Sequence, residues 1–147
     1  MLVTDTEGAG KYTGAPSCLV EYEITADSMN IYYCSDGVSN PPRGANTEYS
    51  GAGVDQWVVD DGGNKTRLPS IGELTIERGR RIICQTSAGG GYGSPLTRDS
   101  CGVAYDVQEG YLSQQKARDV YGVVCSAIGD LDVTSTTILR KELVCKN

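Results

Sequence analysis

The 147-residue chain has 39% hydrophobic and 22% charged residues, a globular composition with enough length for a buried core. Its net charge of −6 argues against a nucleic-acid partner, since phosphate binding needs clustered Lys and Arg. The sequence contains no His, which excludes a Ser-His-Asp triad, a Cys-His pair and a zinc site of the H-E-x-x-H type.

The sequence also carries no signal for a membrane. No stretch approaches the roughly 20 apolar residues of a transmembrane helix, and residues 1–6 lack the basic and apolar regions of a signal peptide. We therefore expect a cytoplasmic protein without a membrane partner. In that compartment the six Cys are expected to stay reduced.

The first half of the chain has the pattern of β-strands. After a loop at 8–16, residues 19–24 alternate, which predicts a half-buried strand with one apolar face, formed by Val20, Tyr22 and Ile24. A turn at 26–28 leads into 29–34, rich in β-favouring residues and expected to be the hairpin partner of that strand.

Residues 35–53 are poor in apolar side chains and contain consecutive prolines, which predicts a long loop that is functional or forms an interface. Residues 54–59 are the next expected strand, and 60–65 have the composition of a hairpin turn. After the apolar positions of 68–76, residues 81–86 are expected to form a buried strand.

After the glycine-rich stretch at 87–97, the spacing of the apolar residues changes from that of a strand to that of a helix. Asp99 is expected to cap a first helix that Gly110 ends, and Ser113 a second helix that Gly122 closes; a third starts at Thr134 or Ser135. The sequence thus predicts one domain over residues 1–147, mainly β with C-terminal helices (α+β). Two small sheets, barrel-like or a sandwich, precede two or three short helices. The divisions are a β part at about 8–86, a Gly-rich junction at 87–97 and a helical tail at 98–147.

Three motifs give the sequence a specific resemblance. The run Gly-Gly-Gly-Tyr-Gly-Ser-Pro-Leu-Thr-Arg-Asp at 89–99 is followed by Asp-Val-Gln-Glu-Gly-Tyr-Leu-Ser at 106–113 and Ala-Arg-Asp-Val-Tyr-Gly-Val-Val at 117–124. In order and spacing they resemble the C-terminal end of the hydantoinase B family. The glycine-rich segment 8–14 and Pro-Pro-Arg-Gly at 41–44 are similar to earlier motifs of that family.

The resemblance implies a B-type subunit tail that is encoded separately, similar to the small subunits of ATP-dependent, biotin-independent ketone carboxylases. Such a complex joins acetophenone and bicarbonate to give benzoylacetate. Its partners would be hydantoinase A-like and B-like large subunits, and the complex would use ATP with Mg or Mn. No cofactor is expected on this chain, and no catalytic residue is carried over, so its expected role is to complete and stabilise the complex.

Two other functions remain open from the sequence. One is a subunit of an ATP-dependent amidohydrolase of the hydantoinase or oxoprolinase kind. The other is a free-standing binding module unrelated to any enzyme. Asp60-Asp61 and the pair Asp130 and Asp132 are candidate carboxylates for metal binding or acid–base chemistry, but turn formation explains both.

The family motifs define the candidate site as a structural or interface motif, comprising Gly89, Gly90, Gly91, Tyr92, Gly93, Pro95, Arg98, Asp99, Tyr121 and Gly122. Dense glycine is expected where backbones approach closely or φ is positive. An alternative is an anion cradle of backbone N–H groups, although the Lys or Ser/Thr of a nucleotide loop is missing.

The cysteines allow a further alternative. Four thiolates in tetrahedral reach would hold a structural zinc, with candidate ligands among Cys18, Cys34, Cys84, Cys101, Cys125 and Cys145. Their sequence gaps are all wide, so the fold would have to assemble the site. They are otherwise small apolar side chains that fill space.

Overall fold

The chain forms six strands followed by three α-helices, seen in a computed structural model that describes residues 1–145. The strands are β1 (Leu19–Glu23), β2 (Ser28–Cys34), β3 (Asp55–Val59), β4 (Lys65–Arg67), β5 (Ile71–Glu77) and β6 (Arg81–Gln85). The helices are α1 (Ser100–Gln108), α2 (Gln114–Asp119) and α3 (Val133–Val144). The prediction of two small sheets followed by two or three short helices is confirmed. Across the described residues the sheets are antiparallel and do not close into a barrel.

The larger sheet has four strands in the order β1-β6-β3-β4. β6 lies between β1 and β3, with Ile83 opposite both Glu21 and Trp57. β3 and β4 form the predicted hairpin, whose turn is closed by the Asp60 N–H donating to the Asn64 carbonyl at 3.1 Å. The Asp60 carboxylate also accepts from the Asn64 N–H at 2.9 Å, which explains this acidic residue as a turn former.

The hairpin predicted between β1 and β2 is wrong. β1 pairs with β6, whereas β2 pairs with β5 in a separate two-stranded sheet. The register places Ile31 opposite Leu74 and Met29 opposite the fully buried Ile76. Because pairing at this register puts the apolar positions of both strands on one face, burial selects β5 over the strand that is nearer in sequence.

β1 also buries less than its alternating pattern predicted. Ile24, just beyond the strand, is buried and Val20 is half-buried, but Tyr22 is 58% exposed. β1 is an edge strand of the four-stranded sheet, so only part of its apolar face is covered.

Two of the three helices begin at their predicted caps. Asp99 and Ser113 each accept a hydrogen bond from the backbone N–H three residues later, at the starts of α1 and α2. α3 begins at Val133 instead of Thr134 or Ser135, because Asp132 is the residue whose carboxylate accepts from the Ser135 N–H.

The main core lies between the helices and the N-terminal loop. It is formed by buried side chains of that loop, of α1, of α2 and of the segments that follow them: Ala9, Val103, Val107, Leu112, Ala117, Tyr121 and Val123. The glycine-rich stretch therefore leads directly from the sheets into this core. No helix within residues 1–145 has the length and apolar character needed to cross a membrane.

Candidate functional site

The glycine-rich stretch lies between two loops and pairs with both. Tyr92 forms an antiparallel bridge with Tyr12 and a parallel bridge with Ala45. Its N–H donates to the Tyr12 carbonyl at 2.8 Å, and the Tyr12 N–H donates back at 3.1 Å. We call residues 89–93, with the segments 8–14 and 43–51 that flank them, the glycine junction.

Close backbone contact explains the glycines of this junction. A Cβ on Gly8 would lie 2.5 Å from the Gly91 nitrogen, and a Cβ on Gly51 would lie 2.5 Å from the Gly89 carbonyl oxygen. Within the run of five, only Gly93 has a positive φ, at 72°. The close approach of three backbones therefore accounts for the glycines of this run.

Two tyrosines at the glycine junction face solvent. Tyr12 is 63% and Tyr92 is 50% exposed, with ring centroids 6.3 Å apart and an interplanar angle of 35°. Asn46 Nδ2 donates to the Tyr92 hydroxyl at 3.2 Å, and Lys11 Nζ lies 5.5 Å from the centroid of the Tyr12 ring. We call Tyr12 and Tyr92 the tyrosine pair. Large aromatic rings held on a fixed backbone are typical of protein contact surfaces.

The backbone geometry does not favour the anion-cradle alternative. The N–H groups of Gly89, Tyr92 and Gly93 already donate to the carbonyls of Ala15, Tyr12 and Ala45. These donors are therefore occupied within the chain and do not point at a free ligand position.

A buried polar cluster lies behind the glycine junction. Glu7 is 5% exposed, and its Oε1 atom lies 2.7 Å from Lys116 Nζ and accepts from the Tyr121 hydroxyl at 3.2 Å. The Tyr121 hydroxyl is also 3.4 Å from Thr13 Oγ1. Burial raises the pKa of Tyr121 well above its ordinary value of 10.0. Its hydroxyl is thus held as a neutral donor to Glu7, which suits a structural contact.

Arg98 connects this cluster to the helices. Its guanidinium contacts the Asp106 carboxylate at 2.6 Å and lies 6.0 Å from the centroid of the Tyr121 ring. Burial raises the pKa of Asp106, although Arg98 acts in the opposite direction. From α3, Arg140 donates to the carbonyls of Tyr121 and Arg98 at 3.0 and 2.8 Å. The cluster therefore ties α1, α2 and α3 to the loop before β1.

The predicted site residues fall into two groups. Gly89, Gly90, Gly91, Tyr92 and Gly93 form the centre of the glycine junction. The remaining five hold the helices: the buried Pro95 begins a 3-10 turn over Pro95–Thr97, Asp99 caps α1, Arg98 and Tyr121 meet in the polar cluster, and Gly122 adopts a φ of 63° after α2. Whether any of them contacts a partner stays a prediction.

Sequence reasoning missed Glu7, Lys116, Asp106 and Tyr12 as members of the site. Glu7 directly precedes the segment 8–14, Tyr12 lies within it and Asp106 begins the motif 106–113, so proximity to these motifs was the available signal for three of the four. Lys116 is 109 residues from Glu7 in the chain, so nothing local marks the pair.

The six cysteines are dispersed. Cys34, Cys101 and Cys145 are exposed, Cys18, Cys84 and Cys125 are partly buried, and all six are free thiols. In the part of the chain that the structure describes, no three Cys, Asp or Glu side chains form a group able to hold a metal ion. Zinc stays a prediction, and the placement of the thiols gives it no support.

The chain is an α+β segment whose strands and helices meet at the glycine junction, where close backbone packing and the tyrosine pair are found. Residues 1–95 match the Hydantoinase B/oxoprolinase family. The chain belongs to this family, as the motifs predicted.

Similar proteins include the caprolactamase subunit beta of Pseudomonas jessenii, with 31% identity over 145 residues, covering 92% of this chain and 24% of that protein. The crystal structure of ATP-dependent caprolactamase from Pseudomonas jessenii matches with a TM-score of 0.74 and 26% identity, over 96% of this chain and 25% of that one. Acetone carboxylase, in a nucleotide-free structure, shares the fold with a TM-score of 0.67 and 20% identity, over 99% and 24% of the two chains. The chain thus spans about a quarter of the length of these relatives.

Proposed function

We propose that this chain is a non-catalytic assembly segment of an ATP-dependent enzyme complex. It packs against the rest of a hydantoinase B-like subunit and completes it. The observation that carries the proposal is the tyrosine pair, which is exposed on a backbone fixed by close glycine packing. A surface of this kind contributes aromatic contact area with little entropy left to lose on binding.

The chemistry of the buried cluster supports a non-catalytic role. Glu7 and Lys116 neutralise one another, and the Tyr121 hydroxyl points at Glu7 inside the core. The Glu7 Oε1 atom, Lys116 Nζ and the Tyr121 hydroxyl are engaged in holding the loop before β1 against α2 and the segment that follows it. The chain also has no His to serve as a general base near neutral pH.

The proposed partners are hydantoinase A-like and B-like large subunits. ATP and its Mg or Mn ion belong to these partners in the proposal. Residues 1–145 present no group of three carboxylate or thiol ligands, so this chain's own residues do not fit a metal site. Placement in the cytoplasm belongs to the same proposal.

The proposed reaction of the complex is the ATP-dependent carboxylation of acetophenone with bicarbonate to give benzoylacetate. The motifs at 89–99, 106–113 and 117–124 support this assignment, and so does the fold shared with acetone carboxylase. In this reaction the ketone loses a proton from its α-carbon, and that carbon forms the new bond to the bicarbonate carbon. A phosphoryl group from ATP takes one bicarbonate oxygen away as phosphate when that C–O bond breaks.

A second candidate is an ATP-dependent ring-opening amidohydrolase. The 31% identity to the caprolactamase subunit beta favours it, because this likeness is in sequence as well as fold. The same assembly role for this chain applies in both candidates.

The test is reconstitution with large subunits from the same genome. The complex is assayed for ATP-dependent fixation of labelled bicarbonate onto acetophenone, and in parallel for ATP-dependent hydrolysis of a lactam and a hydantoin. We expect one activity to appear only when the chain is present, and Tyr92→Ala to reduce complex formation without changing the turnover of the complex that forms. Full activity in the absence of the chain contradicts the assembly role.

A further inference from the structure

β2 differs from every other strand in residues 1–145 in having no charged residue. Its sequence is Ser-Met-Asn-Ile-Tyr-Tyr-Cys, without Lys, Arg, Asp, Glu or Pro. The edge strands of the larger sheet are protected by charge, since β1 contains Glu21 and Glu23 and the three-residue β4 contains Lys65 and Arg67. Proteins normally place such charges on edges that remain in solvent. β2 lacks that protection.

The outer edge of β2 has no neighbouring strand. β2 pairs over seven residues with β5, and within the described residues this sheet contains only these two strands. Two-stranded sheets are marginal in water without further strands or packing. Strand β5, by contrast, carries Glu73 and Glu77. The β2 edge is therefore the side on which this sheet accepts another strand.

The outer face beside this edge is exposed and carries large apolar side chains next to polar ones. Tyr32 is 74% and Ile71 is 68% exposed, and Cys34 is exposed as well. Cys34 lies opposite Ile71 and Tyr32 lies opposite Glu73, so these side chains share one face. A surface cavity of about 280 Å³ lies beside Tyr32 and is lined also by Asn30, Glu73, Leu74 and Thr75. An added strand would find the exposed Tyr32 ring to pack against and space for a side chain beside it.

We propose that the β2 edge receives an extended strand from the remaining part of a hydantoinase B-like subunit. The inference rests on the proposed function and assigns it a second contact, separate from the tyrosine pair. The occupant follows from length: the chain spans about a quarter of its relatives, so three quarters of a B-type subunit are left to supply the strand. Backbone hydrogen bonds along Ser28–Cys34 provide affinity, and alternate apolar side chains on the added strand cover Tyr32.

The test uses the full chain and the rest of the B-like subunit from the same genome, produced as separate polypeptides. Tyr32→Lys places a charge on the β2 surface. Tyr22→Lys is the matched control, since Tyr22 is an exposed tyrosine on the charge-protected edge strand β1. We expect Tyr32→Lys to weaken binding roughly tenfold or more and Tyr22→Lys to change it by less than about twofold. Equal effects of the two substitutions, or no effect of either, overturn the proposal.

Hydrogen exchange on the unmodified chain gives a readout that does not depend on a variant's folding. We expect the amides of Ser28–Cys34 to exchange more slowly in the complex, with no change along Leu19–Glu23. If the complex forms but the exchange rates of the β2 amides do not change, the proposed strand addition is overturned while the proposed function is not. Failure of the unmodified chain to bind the large subunit contradicts the proposed function itself. The chain could instead self-associate without binding the large subunit. If Tyr32→Lys abolishes that self-association, the β2 edge binds a second copy of the chain, and the proposal is overturned.

Discussion

Replacing Gly8 by Ala tests the close packing of the glycine junction. The new Cβ would lie 2.5 Å from the Gly91 nitrogen and 2.9 Å from two further backbone atoms, the Gly89 oxygen and the Gly90 Cα. An ordinary contact needs about 3.5 Å, so the backbones must separate by about 1 Å. That shift strains the hydrogen bonds from Gly89 to Ala15 and from Ala45 to Gly91. With over-packing at about 1–3 kcal/mol and each of the two strained bonds at up to about 1 kcal/mol, we expect the free energy of unfolding to fall by about 1–5 kcal/mol.

The assay is urea unfolding followed by the fluorescence of Trp57, the only tryptophan. Gly102→Ala is the matched control, because its Cβ would lie 3.6 Å from Asp99 Oδ2, an ordinary contact, and Gly102 lies within α1. The control should stabilise the chain by about 0.5 kcal/mol, since Ala restricts the unfolded chain. If the two variants unfold at the same urea concentration, close backbone packing does not explain the glycines.

Three further predictions concern the buried cluster and the α1 cap. Lys116→Met leaves the Glu7 carboxylate buried without its cation and should cost about 3 kcal/mol in urea unfolding, whereas adding Glu7→Gln to it should recover part of the loss. Because burial raises the pKa of Tyr121 above its ordinary 10.0, the unfolded chain releases this proton first as pH rises, and the free energy of unfolding should fall above about pH 10. Tyr121→Phe should remove that part of the pH dependence, and an unchanged slope would contradict the assignment. Asp99→Ala removes the cap of α1 and should cost about 1 kcal/mol, while Asp99→Asn should cost less; equal losses would show that capping is not the cause.

Local signals in the sequence predicted the elements that local chemistry determines. Asp99 and Ser113 cap helices because a side-chain oxygen satisfies an N–H three residues later, a rule that needs no knowledge of the fold. The turn at Asp60–Asn64 is specified in the same way by hydrogen bonds within five residues. For α3, Asp132 obeyed this rule, but the predicted start fell on Thr134 or Ser135.

Local sequence patterns could not predict which distant segments pair with one another. The partner of β2 depends on which strand brings an apolar face such as that of Leu74 and Ile76 to the same register. The contact of Glu7 with Lys116 likewise exists only because the first loop folds back onto α2. Nothing in the neighbourhood of either residue marks the other.

The glycine-rich stretch predicted one feature of the site and left another undetermined. Its density predicted close backbone approach, and the 2.5 Å that would separate a Gly51 Cβ from the Gly89 oxygen bears this out. The identity of the approaching segments, 8–14 and 43–51, required the structure. Tyr12 entered the site in this way, because it pairs with Tyr92 across 80 residues of chain.

The most direct test of the central claim is to recover an affinity-tagged copy of this chain from its native host and identify the bound proteins by mass spectrometry. We expect hydantoinase A-like and B-like large subunits to be recovered together with it, and Tyr92→Ala to lower their yield. Recovery of the chain without either subunit would contradict the proposed assembly role and favour a free-standing binding module.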